Sequence, residues 1–408
     1  MYRIIYLASF FFYKTQRDNP MFSTIDYLPV CENKCIFAQK LGMAEQLSLF
    51  EDTIKVPETE GIKYTGSKLK ILPYILQMTA GLKIDTALDA FSGTTRVAQA
   101  FAQVGYNTTA NDIAEWSKVF ATCYLLADKP DSYYRPMIDE LNALEGKYGW
   151  FSENYGGDGA EGKRPFQLKN TMRLDAIREE IDKWELAWED KCVLLTSLIY
   201  AMDAVDNTIG HYAAYLSGWS PRSYNDIQLK LPKRFPIRTQ NEVIQGDVFN
   251  AIKTYHDLVY FDPPYGSNNE KMPPSRVRYA AYYHLWKTIV LNDHPKVFGK
   301  ANRREDTRDT VSPSVFEEYK KNDEGNFIAM QAIKDLIEQT QAHYILLSYG
   351  SGGRATKQEL FDIINTYGNL IDAKEIDYKQ NVMSGMRWTN EWVTTDNQYK
   401  EYLFLMEK

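Results

Sequence analysis

The sequence predicts an α/β protein whose mostly parallel sheet is interrupted by a mostly helical insert. Three observations carry this expectation. A short apolar strand, a helix and a second strand follow one another over residues 86–111, the opening of a unit with parallel strands. Helical periodicity then dominates residues 167–216. Strand-like runs return at Glu242–Ile244, Leu258–Phe261 and Tyr344–Leu347.

Taken in order, the chain of 408 residues begins with MYRIIYLASFFFYK. Its apolar run from Ile4 to Tyr13 falls short of the ~20 residues a membrane-crossing helix takes. KTQRDNP follows, rather than a small-x-small cleavage site. Residues 1–42 are expected to be a weakly structured extension, with Met21 and Met43 as alternative starts. EDTIKVPETE at 51–60 is polar, carries a proline and reads as a linker, so residues 1–60 form a flexible extension and order begins at Gly61. A helix over Lys68–Met78, a strand over Thr86–Asp89, a glycine turn, a helix over Arg96–Val104 and a strand over Thr108–Asn111 come next. Residues 145–166 are Gly-rich and polar, hence loop, whereas Leu174, Ile177, Ile181 and Trp184 line one face of a helix beyond them. Two prolines break LKLPKRFPIR. Residues 266–327 read as charged loop, with a helix over Ala332–Gln339 after them. The expected domains are 61–135 joined with 241–408, and an insert at 136–240.

Composition bounds the rest. With 44% apolar and 25% charged residues, the chain can bury a sizeable core. Its net charge of −7 excludes a chain-wide basic surface, so contact with nucleic acid needs a local patch. Four cysteines make no disulfide framework. Cys31 and Cys35 lack a partner at zinc spacing, and Cys123 and Cys192 sit in apolar helical stretches, as core residues do. This is the cysteine usage of a reducing compartment.

Two glycine patterns are decoys. Gly157-x-Gly159-x-x-Gly162 fits a dinucleotide fingerprint, and Gly157 to Lys163 nearly fits a phosphate loop. Neither follows a buried strand, Arg164 replaces the magnesium-binding hydroxyl, and Asp158 and Glu161 would repel a phosphate.

LVYFDPPYG, Leu258 to Gly266, is different. A buried strand ends in Asp262-Pro263-Pro264-Tyr265, and ligands of open α/β sheets sit beyond such carboxyl ends. The prolines stiffen the turn. Asp262 and the Pro263 carbonyl can accept two hydrogen bonds from one amino group, and Tyr265 can stack on its ring. Leu88-Asp89-Ala90-Phe91-Ser92-Gly93-Thr94-Thr95-Arg96 is a strand, a small-residue turn and a helix, which lets a ligand approach the backbone. Asp112 closes the next strand, where a carboxylate can bond ribose hydroxyls. Asp247 ends a further strand, and KYTGSK at 63–68 is expected to open a helix whose N–H groups and lysine hold a carboxylate.

In this order the motifs resemble the DNA adenine-N6 methyltransferases of the alpha group, over roughly residues 61–125 and 241–408. Weaker echoes lie at Glu153–Tyr155, Leu174–Ile181 and Asn207–Leu216. One departure is Thr95, where the family often has a second glycine. The resemblance implies a Rossmann-like, S-adenosyl-L-methionine-dependent methyltransferase sheet, with 136–240 as target-recognition region. It implies that Asp89, Phe91, Ser92 and Gly93 line the cofactor pocket. Asp112 would bond the ribose, Asp247 the adenine amino group, and Tyr64 with Lys68 the methionine end. Asp262 and Pro263, with Pro264 and Tyr265, would align a flipped-out adenine. No metal is required. Cytosine N4 in DNA, adenine in RNA, or an inactive nucleic-acid-binding module are the alternatives, and Asp before Pro-Pro-Tyr favours adenine within the resemblance. The expected setting is the cytoplasm of a bacterium, in restriction-modification or as a solitary or phage methylase.

Two expectations concern partners. Residues 271–309 carry nine Lys or Arg against four Asp or Glu, a net of +5, interleaved with Tyr279, Tyr282, Tyr283 and Trp286. With Lys230, Lys233, Arg234 and Arg238, these are expected to contact double-stranded DNA. Gln46, Leu47, Ser48, Leu49 and Phe50 resemble the pentapeptide that docks bacterial proteins on the sliding clamp, a peptide-in-groove mode.

Overall fold

Seven strands build the main sheet: β1 (Thr86–Asp89), β2 (Asn107–Asp112), β3 (Glu242–Gln245), β4 (His256–Phe261), β5 (Ala342–Gly350), β6 (Asn369–Asp377) and β7 (Lys400–Glu407). The computed structural model describes residues 55–159, 162, 164–266, 278–308, 311, 314–377 and 399–408. Cys31, Cys35 and the 46–50 pentapeptide lie outside the described residues. The strand order is β6-β7-β5-β4-β1-β2-β3. The five strands from β5 to β3 are mutually parallel, and β7 runs antiparallel between β5 and β6. Strand order reverses beside β1: β2 and β3 lie on one side, β4 and β5 on the other. That is a topological switch point, where the loops leaving β1 and β4 part and open a crevice.

Local chemistry explains the elements. Helix α1 (Leu72–Thr79) has proline in its first turn, where the missing N–H costs nothing. It starts later than the sequence suggests. Gly66 takes φ +99°, so KYTGSK is a turn ahead of the helix rather than its beginning. Helix α2 (Arg96–Val104) ends at Gly105 in a left-handed cap. Helix α3 (Glu115–Leu125) follows β2. Ala98 and Ala102 of α2 pack with Ala110 of β2 and with Ala121 and Leu125 of α3, small residues that let the layers approach closely. Residues 55–60 are not a free linker. Gln99 exchanges hydrogen bonds with the backbone of Glu60, Arg96 donates to the carbonyls of Thr59 and Gly61, and Gln103 donates to Glu58. Their backbone groups find partners on α2, which overrides the linker composition.

Between β2 and β3 run α4 (Asp131–Ala143), α5 (Trp150–Tyr155), α6 (Leu168–Lys183) and α7 (Trp188–Asp203). Leu174, Ile177 and Ile181 are buried, as their spacing predicts. α5 lies within the stretch expected to be loop. Its first turn is fixed by Asp175, whose carboxylate accepts from the N–H groups of Gly149, Phe151 and Ser152. The segment's apolar residues share one core with Trp116 and Phe120 of α3 and with Trp286 and Ile289 further along the chain. The stretch expected to be charged loop contains α8 (Tyr279–Tyr282) and α9 (His284–Leu291). On the other side, α10 (Ile328–Gln339) and α11 (Lys357–Tyr367) cover Leu88, Val259, Phe261, Ile345 and Leu347 of the sheet. Each such buried aliphatic side chain contributes about 1.5–3 kcal/mol. Cys123 and Cys192 are buried and free. Among the described residues, no helix is long and apolar enough to cross a membrane.

Candidate active site at the switch point

A cavity of about 660 Å³ opens at the carboxyl ends of β1, β2, β3 and β4, within the range of small-molecule sites. Tyr64, Lys68, Asp89, Phe91, Ser92, Gly93, Asp112, Asp247, Asp262 and Pro264 all line it. Residues up to about 200 positions apart thus meet because parallel strands end on one side of the sheet.

The turn after β1 is held tightly. Gly93 takes φ +48°, and a Cβ there would meet the Tyr64 ring at 3.4 Å, so the backbone lies bare to its neighbours. Asp112 Oδ2 accepts from Gly93 N at 2.8 Å, and Oδ1 accepts from Ala114 N at 2.9 Å. Burial raises the Asp112 pKa while these N–H groups pull it down. The Ser92 hydroxyl lies 3.1 Å from that of Ser117, which donates to Gly93 O. Thr95 occupies the left-handed region at φ +66°, which explains why glycine suits that position. Its hydroxyl accepts from Gln99, the side chain that also anchors Glu60, so hydrogen bonds offset the strain. Asp89 Oδ2 accepts from Ala98 N at the start of α2. Burial, reinforced by the Asp262 charge, pushes Asp89 up to about 8.

Asp247 caps the short turn of helix after β3, accepting from Phe249 N at 3.0 Å. Phe249 stacks on Phe316 with ring planes 7° apart, and Phe91 meets Phe316 edge-on at 5.3 Å. Ile113 is 74% exposed at the cavity wall, an apolar surface next to Asp112. Of these apolar walls the sequence reading named Phe91 and missed Ile113, Phe249 and Phe316.

At the end of β4 the charges converge. Lys68 Nζ lies 2.6 Å from the Tyr265 hydroxyl, 2.9 Å from Asp262 Oδ1 and 3.0 Å from Glu401 Oε1. The Tyr265 hydroxyl is 2.5 Å from each of those carboxylate oxygens, and Ser348 donates to Glu401. Burial pushes Asp262 up to about 6, with Glu401 adding to it and Lys68 opposing. Burial also opposes the Lys68 charge, but the two carboxylates more than compensate and raise its pKa. An ammonium has three N–H donors, and these three partners use them all. Holding a methionine carboxylate, the role expected of Lys68, requires releasing one. Tyr64 sits in an aromatic cluster, 4.8 Å from Tyr283 and 5.6 Å from Trp116 by ring centroids. Pro263 is buried. The Tyr265 ring lies 4.7 Å from that of Tyr349, whose hydroxyl donates to the Tyr265 carbonyl. Glu401 had no sequence signal, because its place depends on where β7 inserts.

Part of the expected basic and aromatic patch packs or pairs within the protein, and its residues 271–277 and 309 lie outside the described residues. Tyr282, Tyr283 and Trp286 are buried, and Trp286 contacts the rings of Trp116, Phe120, Tyr212 and Tyr283. Their spacing of three, four and seven from Tyr279 is a helical stripe, a signal for core. Arg304 is buried and held by Asp293 and Asp306, while Lys287 pairs with Glu115 and Asp306. Arg278 pairs with Glu317 and Arg308 with Glu305. In the second cluster Lys233 pairs with Glu58, and Arg234 binds Asp131 and two carbonyls. Local composition counted these cations as available for phosphate, but neighbouring carboxylates and carbonyls pair with them, Glu317 from a buried position and Glu58 and Asp131 from exposed ones. The glycine decoys bind no strand-to-helix turn of the main sheet: Gly156 and Gly157 form a two-residue ladder with Phe166 and Gln167.

The donor set fits an adenosyl sulfonium cofactor. It combines carboxylates for a diol, an amine and a cation with apolar walls and a bare glycine turn, and among the described residues its basic groups Lys68, Arg96 and Lys287 are each already held by protein acceptors. Among the described residues, no group of three or more His, Cys, Asp and Glu is placed to hold a metal.

Residues 64–345 match the model of the D12 class N6 adenine-specific DNA methyltransferase family. The chain is 28% identical over 374 residues to the modification methylase StsI of Streptococcus sanguinis, covering 85% of this chain and 52% of that protein. It is 27% identical over 370 residues to the type II methyltransferase M.FokI of Planomicrobium okeanokoites, covering 85% and 53%. It is 26% identical over 359 residues to the type II methyltransferase M.NlaIII of Neisseria lactamica, covering 85% and 99%. The chain thus spans about half the length of the first two relatives.

Proposed function

The chain belongs to the D12 class N6 adenine-specific DNA methyltransferases, and from that premise we propose that it transfers a methyl group from S-adenosyl-L-methionine to N6 of an adenine flipped out of double-stranded DNA. The observation that carries this reading is the meeting of the β1 turn, Asp112, Asp247, Asp262 and Pro264 at one cavity, with Pro263 and Tyr265 beside them in the turn but not among its lining residues. Asp89, Phe91, Ser92, Gly93, Asp112 and Asp247 hold the cofactor, which supplies an electrophilic methyl on sulfur. Tyr64 and Lys68 border its methionine end.

The adenine amino nitrogen is a poor nucleophile because its lone pair is delocalised into the ring. Asp262 and the Pro263 carbonyl accept its two hydrogens and localise that pair towards the methyl. Positioning and preorganised acceptors supply most of the acceleration. Tyr265 stacks on the flipped base, returning about 1–3 kcal/mol of the unstacking cost. The modification and type II names of the relatives favour a modification role in a bacterial cell. Docking of Gln46, Leu47, Leu49 and Phe50 on a sliding clamp rests on the pentapeptide alone.

Transfer of labelled methyl to unmethylated plasmid DNA, followed by nucleoside analysis, tests the proposal. N6-methyladenine is the expected product; N4-methylcytosine or an unlabelled digest would overturn it.

Two dependences follow. Asp262 draws electron density onto N6 through its carboxylate charge, and its pKa is pushed up to about 6, so transfer should fall as pH drops through that value. A rate independent of pH between about 5 and 7 contradicts the role given to Asp262. DNA affinity should drop about tenfold or more between about 50 and about 200 mM salt, since each neutralised phosphate releases counterions. A flat plot of log affinity against log salt removes the phosphate contacts from the proposal.

A further inference from the structure

We propose that Glu401 is a positioning residue for the reaction assigned above: its carboxylate anchors Lys68 and Tyr265 beside Asp262. The inference rests on the methyltransferase reading for its purpose, but its test does not.

Glu401 stands near the start of β7, paired in register with Gly350 of β5. It is 3% exposed, and its Oε1 receives Lys68, Tyr265 and Ser348 at 3.0, 2.5 and 2.7 Å. A carboxylate taken out of water persists only where it is paired and hydrogen-bonded. Here two of the three partners are the residues that also grip Asp262, so the carboxylate belongs to that cluster rather than to the sheet edge. One ammonium faces two carboxylates, and the single tyrosine proton serves one of them at a time. The like charges raise the ionisation midpoint of the pair.

The groups facing Asp262 come from every element around it. Tyr64 and Lys68 precede α1, Asp89 ends β1, Tyr260 belongs to β4, Tyr279 to α8, Tyr399 and Glu401 to the start of β7, and Tyr265 to its own turn. Burial holds Asp89 neutral up to about 8 and keeps the tyrosines neutral, and among these groups Glu401 is the carboxylate that shares Lys68 and Tyr265 with Asp262. Its loss leaves Lys68 to Asp262 alone. Both changes favour the Asp262 carboxylate and lower its midpoint.

The test titrates the cofactor-free full chain labelled with carboxyl-13C aspartate, assigning Asp262 by the resonance lost in Asp262→Asn. The midpoint should lie near 6. Glu401→Gln, which keeps the acceptor and removes the charge, should lower it by about half a unit or more, whereas Glu401→Asp should lower it less. An unchanged midpoint in a folded Glu401→Gln protein overturns the inference, whether or not the wild-type chain methylates DNA. In the active enzyme the acid limb of kcat should move with the midpoint. Glu401→Ala should lower kcat about tenfold, with Glu401→Gln restoring part of it. A wild-type chain without methyl transfer, but with the midpoint shift intact, would sink the proposed function and leave the role of Glu401 standing.

Discussion

Replacing Asp262 by asparagine is expected to lower methyl transfer to adenine by about 100- to 1,000-fold, the cost of losing one preorganised electrostatic contact at a reacting group. Asparagine keeps the shape and one acceptor oxygen. It removes the charge that draws electron density onto N6, and its amide can present N–H to an amino group that needs an acceptor. Lys68 would then face Glu401 as its one remaining carboxylate. Parallel measurements of cofactor affinity by calorimetry and of single-turnover methyl transfer separate the effects. Transfer within tenfold of wild type, with the cofactor bound, would remove Asp262 from the chemistry.

Trp286→Ala is expected to destabilise the fold by about 3–5 kcal/mol, the usual cost of deleting a fully buried large aromatic. Trp286 is fully buried in α9 and touches the rings of Trp116 and Phe120 of α3, of Tyr283 just ahead of α9, and of Tyr212. It also stacks at 6.4 Å on Tyr64, so the cavity wall rests on it. A shift of the urea midpoint at 25 °C measures the loss. A change below about 1 kcal/mol would mean that the cluster collapses around the gap, and that the core is not as closely packed as its contacts imply.

Much of the fold was legible because it is written in short-range patterns. Thr86–Asp89, Arg96–Val104 and the strand ending at Phe261 are each announced by an apolar run and its punctuation, and they fold as those patterns dictate. Leu174, Ile177 and Ile181 mark a buried stripe by spacing alone. The stretch from Tyr279 to Trp286 carried a similar helical stripe, yet the positive charge around it pointed to a nucleic-acid surface. Charge in sequence does not distinguish a free exposed cation from one that is buried or already paired with a carboxylate, as Arg304 and Lys287 show.

The candidate site divides along the same line. Residue by residue, the turn at Gly93, the carboxylates at 112 and 247 and the 262–265 turn could be named from the sequence, because each ends a strand and strand ends of parallel sheets face one crevice. What Lys68 and Tyr265 do there could not. Their partner Glu401 is 136 residues from Tyr265 and arrives on the antiparallel strand β7. Position along the chain sets which residues end strands. Only the order of strands in the sheet sets which ends meet, and the burial that follows fixes which charges pair and which carboxylate keeps its proton.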